Sequence, residues 1–92
     1  MEFEWDERKA TQNIAKHGVP FEYATRVFLD LRRVDAEDDR RDYGETRRVT
    51  VGMIEGGAFA VAYTFRGRMI RLISARKANE RERRRYIETL PA

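Results

Sequence analysis

The sequence predicts an α+β domain: a central antiparallel sheet, with two helices ahead of it and one behind. Three observations carry that expectation. The runs AFAVAYTF and MIRLISARKA, both apolar and β-prone, flank a turn centred on Gly67, which is the sequence form of a β-hairpin. Ahead of them, Arg47–Ile54 alternates and turns at Glu55-Gly56-Gly57, adding a third consecutive antiparallel strand. Helical spacing of apolar residues occurs only before and after this block.

Taken in order, Phe3 and Trp5 alternate with Glu2, Glu4 and Asp6, the pattern of a short half-buried strand. Asp6 reads as an N-cap, with Trp5 and Ala10 placed as a hydrophobic staple. The helix it opens runs to about His17, where Gly18 supplies the stop. Ala10, Ile14 and His17 trace its expected buried stripe, and Lys9, Asn13 and Lys16 share a neighbouring face. Pro20 suits the first turn of a second helix, apolar on Phe21, Ala24, Val27 and Phe28 and ending near Leu29 or Asp30. Leu31–Asp35 is expected as a short strand. The following AEDDRRDYGE is expected as a charged, mobile loop, since no apolar periodicity buries it.

With Gly67 and Arg68 as the hairpin loop, Arg66 stands opposite Met69, Thr64 opposite Arg71, Ala62 opposite Ile73 and Ala60 opposite Ala75. Phe59, Val61, Tyr63 and Phe65 then share one face with Ile70, Leu72, Ser74 and Arg76. The other face mixes small residues with arginine, a floor on which a phosphate backbone can lie. This register puts Arg66 and Arg76 on opposite faces, so both line one site only if a bulge re-aims one of them. Asn79 caps the last helix with Glu82 at N3. Tyr86, Ile87 and Leu90 are expected to face the sheet with Arg83 beside them.

The 92 residues form a single expected domain, 1–92, with no cysteine for a disulfide or a thiolate metal site. No apolar run is long enough to span a bilayer and the opening MEFEWDERK is acidic, so no signal peptide is evident and the cytoplasm is the expected compartment. Residues 1–65 hold ten Lys/Arg against thirteen Asp/Glu; residues 66–92 hold nine against three. A basic back half on a near-neutral front half suits a polyanion or an acidic protein partner, or simply a solvated surface.

The only histidine, His17, sits at a helix end, where such a residue is more often a cap than a catalyst. No metal-binding or nucleotide-binding motif occurs, so neither a metal nor a cofactor is expected. What remains suits metal-free cleavage of RNA, which needs the 2′-OH deprotonated, the phosphorane charge stabilised and the 5′ oxygen protonated. The guanidinium fork of Arg66, Arg71 or Arg76 suits phosphate oxygens, whereas proton transfer falls to Lys9, Lys16, His17, Tyr86 or Glu45. Tyr86 can alternatively stack on a base; Tyr63, in mid-strand, reads better as core. Most of the NERERRRY run reads as an exposed helix face.

The segments WDERKATQNIAKHGVPFEYA, GETR, YTFRGRMIRLISARKA and ERERRRYI, in that order along nearly the whole chain, resemble the BrnT family of bacterial toxins, within the RelE-like ribonucleases. The resemblance implies a RelE-like fold, an endoribonuclease acting on free or ribosome-associated RNA to stop translation, and a cognate antitoxin. It further implies a ribbon-helix-helix antitoxin, whose complex with the toxin would bind operator DNA; no membrane is involved. The family pattern falls on Trp5, Asp6, Lys9, Asn13, Lys16, His17 and Gly18, on Gly44, Glu45 and Arg47, and on Arg66, Ser74, Ala75, Arg76, Glu82, Arg83 and Tyr86. Pro20 departs from it where a capping Ser or Asp is expected. The resulting assignment makes Arg66 and Arg76 phosphate ligands, with proton transfer by His17, Lys16 or Tyr86 and RNA contacts from Lys9, Asn13, Arg47, Arg71 and Arg83. Two rivals remain at this point: a non-catalytic module that holds nucleic acid or protein through the Arg-rich helix, and a basic surface that serves mainly to dock the antitoxin.

Overall fold

In a computed structural model, residues 1–91 are described. The chain runs β1 (Glu2–Glu4), α1 (Glu7–His17), α2 (Phe21–Ala24), a 3-10 segment (Thr25–Leu29), β2 (Val34–Asp38), β3 (Arg47–Ile54), β4 (Gly57–Arg66), β5 (Met69–Lys77) and α3 (Glu80–Glu88). The five strands form one sheet in the order β1-β5-β4-β3-β2. The sheet is mixed, which corrects the expected antiparallel arrangement. β1 lies parallel to β5, Phe3 beside Ile70, because the chain crosses the sheet through α1 and α2 before the meander brings β5 back to it.

Two boundaries also shift. Asp30 accepts from the Arg32 N–H at 2.9 Å and delays the second strand to Val34, so Leu31 and Arg32 belong to a turn. That strand then continues through Ala36, Glu37 and Asp38, taken from the expected charged loop. Glu37 and Asp38 stand opposite Arg48 and Arg47, and opposite charges across a strand pair favour it. The second helix is α-helical only over Phe21–Ala24 and tightens to a 3-10 turn thereafter.

The helix-side face of the sheet carries the main core. Phe21, Val27, Val61 and Ala75 are wholly buried and Leu72 nearly so, each large side chain contributing about 1.5–3 kcal/mol relative to exposure. Gly52 is required here, since a Cβ would meet Val27 Cγ2 at 2.9 Å. α1 starts on Asp6, whose carboxylate accepts from the Arg8 and Lys9 N–H groups, and ends at left-handed Gly18. Its buried positions are Ala10 and Asn13, while Ile14 is 49% exposed, correcting the expected stripe. Val19, buried just past the helix, supplies apolar packing at that end instead.

The β4–β5 ladder contains a bulge. Arg66 faces Met69 and Thr64 faces Arg71 as expected, and Tyr63 faces Leu72, but Ala62 faces Ser74, leaving Ile73 as the extra residue. Val61 therefore faces Ala75, and Ala60 faces Arg76. The bulge turns Ala75 into the helix-side core and Arg76 onto the other face.

That other face is covered only at one end. Ala78, Tyr86 and Leu90 pack with Val51, Ala58, Ala60 and Met53, whereas Ile87, expected to face the sheet, is 63% exposed. Glu82, Tyr86 and Leu90, spaced four apart, make the inner stripe of α3, and a one-residue step along the helix turns Ile87 outward.

Candidate nucleic-acid interface

On the face that α3 partly covers, β4 and β5 carry Arg66, then Met69, Arg71 and Ser74 in the open half, with Thr64 buried among them and Arg76 at the border with α3. The bulge thus puts Arg66, Arg71 and Arg76 on one face. Arg66 pairs with Met69 and Arg76 with Ala60, six residues apart along β4, which is about 20 Å of strand. The two guanidinium groups therefore suit different phosphates along a strand better than a single phosphate.

Each arginine has a distinct setting. Arg66 is exposed at the hairpin tip and joins none of the ion pairs among the described residues. Arg71 donates to Glu4 at 2.6 Å across the parallel β1–β5 pair. Arg76 forks onto Glu82, Nη1 to Oε1 at 2.7 Å and Nη2 to Oε2 at 3.0 Å. Glu82 Oε1 also accepts from the Asn79 N–H, and Asn79 Oδ1 accepts from the Glu82 N–H, a complete capping box. Burial works against the Glu82 charge, but Arg76 and the Asn79 N–H hold its carboxyl below the ordinary range.

Beside that pair lies a cleft of about 400 Å³, bordered by Val49, Arg40, Arg76, Arg81, Glu82 and Arg85. Asp38 on its rim is held down to about 2, first by the hydrogen-bonded Arg40 guanidinium, with the Tyr43 hydroxyl adding to it. Arg47, opposite Asp38, stacks its guanidinium 4.1 Å from the centre of the Tyr43 ring and donates to Glu45 at 3.3 Å. Its lining carries four arginines, Arg40, Arg76, Arg81 and Arg85, and four carboxylates, of which Asp38 and Glu82 are held by arginine while Glu37 and Asp39 join no ion pair among the described residues.

The remaining candidates divide by face. Tyr86 is on the same side as Arg76, but its hydroxyl donates to Asp30 at 2.6 Å, and burial followed by that carboxylate pushes it up to about 12. Arg83 is exposed on α3 and borders a groove with Tyr86 and Leu90. Lys9 and Lys16 are exposed on α1, and His17 is half-buried in a hollow with Tyr23, Phe59 and Lys77, on the helix side of β5. Asn13 is a correction. It is buried, and its carboxamide donates to the Val19 and Ala75 carbonyls at 2.9 and 2.8 Å and accepts from the Ala75 N–H at 3.0 Å, leaving nothing for RNA. It takes up the free edge of β5 just past the end of β1.

Sequence reasoning gave no place in the site to Asp30, Asp38, Arg40 or Tyr43. Asp30 and Tyr86 are separated by 56 positions and no local pattern links them. Arg40 and Tyr43 fall in a segment whose only signal was its charge. Among the described residues, no group of three or more His, Asp or Glu side chains is placed to hold a metal ion.

A sequence profile described as "Ribonuclease toxin, BrnT, of type II toxin-antitoxin system" matches residues 5–82. The chain belongs to the BrnT toxin family. As a BrnT toxin it is a ribonuclease toxin of a type II system and has a cognate antitoxin as partner. The matched span takes in the bulge and Arg47, Arg66, Arg71 and Arg76, and closes on Glu82, so that Arg83 and Tyr86 lie beyond it. No curated protein matches this BrnT chain significantly. Among its described residues no helix is long and apolar enough to cross a membrane.

Proposed function

We propose that this BrnT toxin is a metal-independent endoribonuclease of RelE-like fold that inhibits translation in the cytoplasm by cleaving RNA laid along the open face of its sheet. The observation that carries the reading is the bulge at Ile73, which aligns Arg66, Arg71 and Arg76 on that face. Arg66 and Arg76 bind phosphate oxygens, and Arg71, Arg47 and Arg83 extend the cationic track. In the reaction the 2′-OH passes its proton to water, its oxygen attacks phosphorus, and the bond to the 5′ oxygen breaks as that oxygen takes up a proton. One product ends in a 2′,3′-cyclic phosphate and the other begins with a 5′-OH. Of the proton-transfer candidates, Tyr86 shares the face with Arg76, which favours it over His17 and Lys16. Its hydroxyl proton is held by Asp30, so protonating the departing 5′ oxygen requires the Tyr86–Asp30 bond to open, and burial and that carboxylate disfavour Tyr86 as the base.

The antitoxin in this reading is a ribbon-helix-helix protein, and operator DNA is met only by the toxin–antitoxin complex. Purified toxin should lower translation in a cell-free extract, with or without ribosome-associated messages as the cut species, and Arg66→Ala should abolish the effect. Undiminished inhibition by that variant removes Arg66 from the chemistry. Strongly salt-dependent RNA binding without cleavage would leave only a binding module.

A further inference from the structure

Two shallow clefts meet at the far end of the sheet and share Met53 and Tyr86 as lining residues. One is bordered by Leu29 and Arg26, the other, of about 290 Å³, by Ala58, Arg83, Ile87 and Leu90. Leu29 and Ile87, 79% and 63% exposed, stand at their mouths. The second cleft is apolar apart from Arg83 and the Tyr86 hydroxyl, the first carries Arg26, Asp30 and Glu55 beside Leu29, and large aliphatic side chains left in water beside an apolar cleft mark an interaction surface. Ala58 is eight residues from Arg66 along β4, about 27 Å. It is only two from Ala60, opposite which Arg76 stands.

The charges on the rim select the occupant. Arg26 is paired with Glu55 at 3.5 Å, and Asp30 accepts from the Tyr86 hydroxyl and from the Met53 and Arg32 N–H groups. Arg83 joins no ion pair among the described residues, nor do Arg81 and Arg85 on the same helix. Arg83 is the one charged residue lining the cleft of Ala58, Ile87 and Leu90, whereas the Asp30 carboxylate of the neighbouring cleft joins no ion pair among the described residues, so the surface complementary to the Arg83 side is apolar with a carboxylate beside it. A second copy of this chain, docked about a two-fold axis through that cleft, would set Arg83 against itself.

We propose that the cognate antitoxin seats an amphipathic segment in this groove, large apolar side chains over Met53 between Leu29 and Ile87, and carboxylates against Arg83. The proposal rests on membership of a toxin–antitoxin family and not on the RNA face.

The test uses purified full-length toxin and the purified antitoxin of its own operon. The double variant Leu29→Asp/Ile87→Asp should weaken binding by about 30-fold or more, the effect of losing a central anchor, and should no longer be neutralised. Its RNA cleavage in the absence of antitoxin should match wild type, and Ile14→Asp, an equivalent change on α1, should alter neither. Wild-type antitoxin affinity in the double variant overturns the proposal. Because aspartates can disturb folding, amide exchange is followed on the unmodified toxin as well. Antitoxin should protect 53–58 and 83–90, and absence of protection there overturns the proposal. So does a toxin dimer that the double variant dissociates while keeping full antitoxin affinity. Failure of wild-type toxin to cut RNA bears on the ribonuclease reading alone, since the binding and exchange results stand without it.

Discussion

The carboxamide of Asn13 engages both main-chain polar groups of Ala75, donating from Nδ2 to the carbonyl at 2.8 Å and accepting at Oδ1 from the N–H at 3.0 Å. It acts as one peptide unit of a missing strand on the β5 edge, and its second Nδ2 bond, to the Val19 carbonyl, ties the loop after α1 to the same point. Asn13→Ala strands these buried groups and should cost about 2–4 kcal/mol. Thermal unfolding should then shift down by roughly 10–25 °C. Asn13→Asp should be no better, since the donors are replaced by an acceptor facing two carbonyls. A shift of only a few degrees for Asn13→Ala would mean that water replaces the amide.

Arginine substitutions on the open face should separate by partner. Arg66→Ala removes an exposed, unpaired cation and should leave stability unchanged while eliminating RNA cleavage. Arg76→Ala should also eliminate cleavage, and it leaves Glu82 without its fork, so stability should fall by about 1 kcal/mol, limited by solvent screening. Arg71→Ala should weaken RNA binding without abolishing cleavage. In salt titrations with single-stranded RNA each loss of a phosphate contact should lower the slope by roughly 0.7. An unchanged slope for all three would place the RNA elsewhere.

Tyr86 and His17 can be told apart by conservative substitution. Losing a proton-transfer group commonly costs about 10²–10⁴-fold in rate. That loss is expected for Tyr86→Phe, which keeps the buried ring, and not for His17→Ala. Single-turnover cleavage of a labelled RNA reads both, and the opposite ranking would move proton transfer to the helix side of the sheet.

Stability should fall at both extremes of pH. Asp30, Asp38 and Glu82 are held below their ordinary values of 3.8, 3.8 and 4.5, so each takes up a proton more readily when unfolded. Their contribution is complete well above pH 4.5 and is lost as pH falls through the folded values, down to about 2 for Asp38. Tyr63 and Tyr86 are shifted the other way, from 10 up to about 12, so their contribution is complete below pH 10 and is lost as pH rises toward 12. Urea midpoints across this range should trace both flanks. Asp30→Asn should flatten part of the acid flank.

The helix limits at Asp6 and Gly18, the capping box of α3 and the turn at Gly67 were legible because each is decided within a few residues of its signal. The bulge was not. Its one trace is the pair Leu72-Ile73, where the alternation of apolar and polar residues slips by one before resuming at Ala75, and two adjacent apolar residues do not by themselves say which of them leaves the ladder. Asn13 misled for a similar reason. Its spacing matches the exposed lysines, yet its partners lie at positions 19 and 75. The extension of β2 into acidic residues depended on Arg47 and Arg48 across the ladder, which a reading of 34–38 alone does not contain.

The parallel pairing of β1 with β5 also governs when the interface comes into being. Glu4 meets Arg71 across 67 positions, and the contact closes the two ends of the meander-and-helix circuit into one sheet. Such a closure carries a large loop entropy and belongs late in folding. A nascent chain that has not yet released β5 from the ribosomal tunnel has neither the bulge nor the aligned arginines. The bulge and the three aligned arginines therefore come together only when synthesis of the chain is nearly finished.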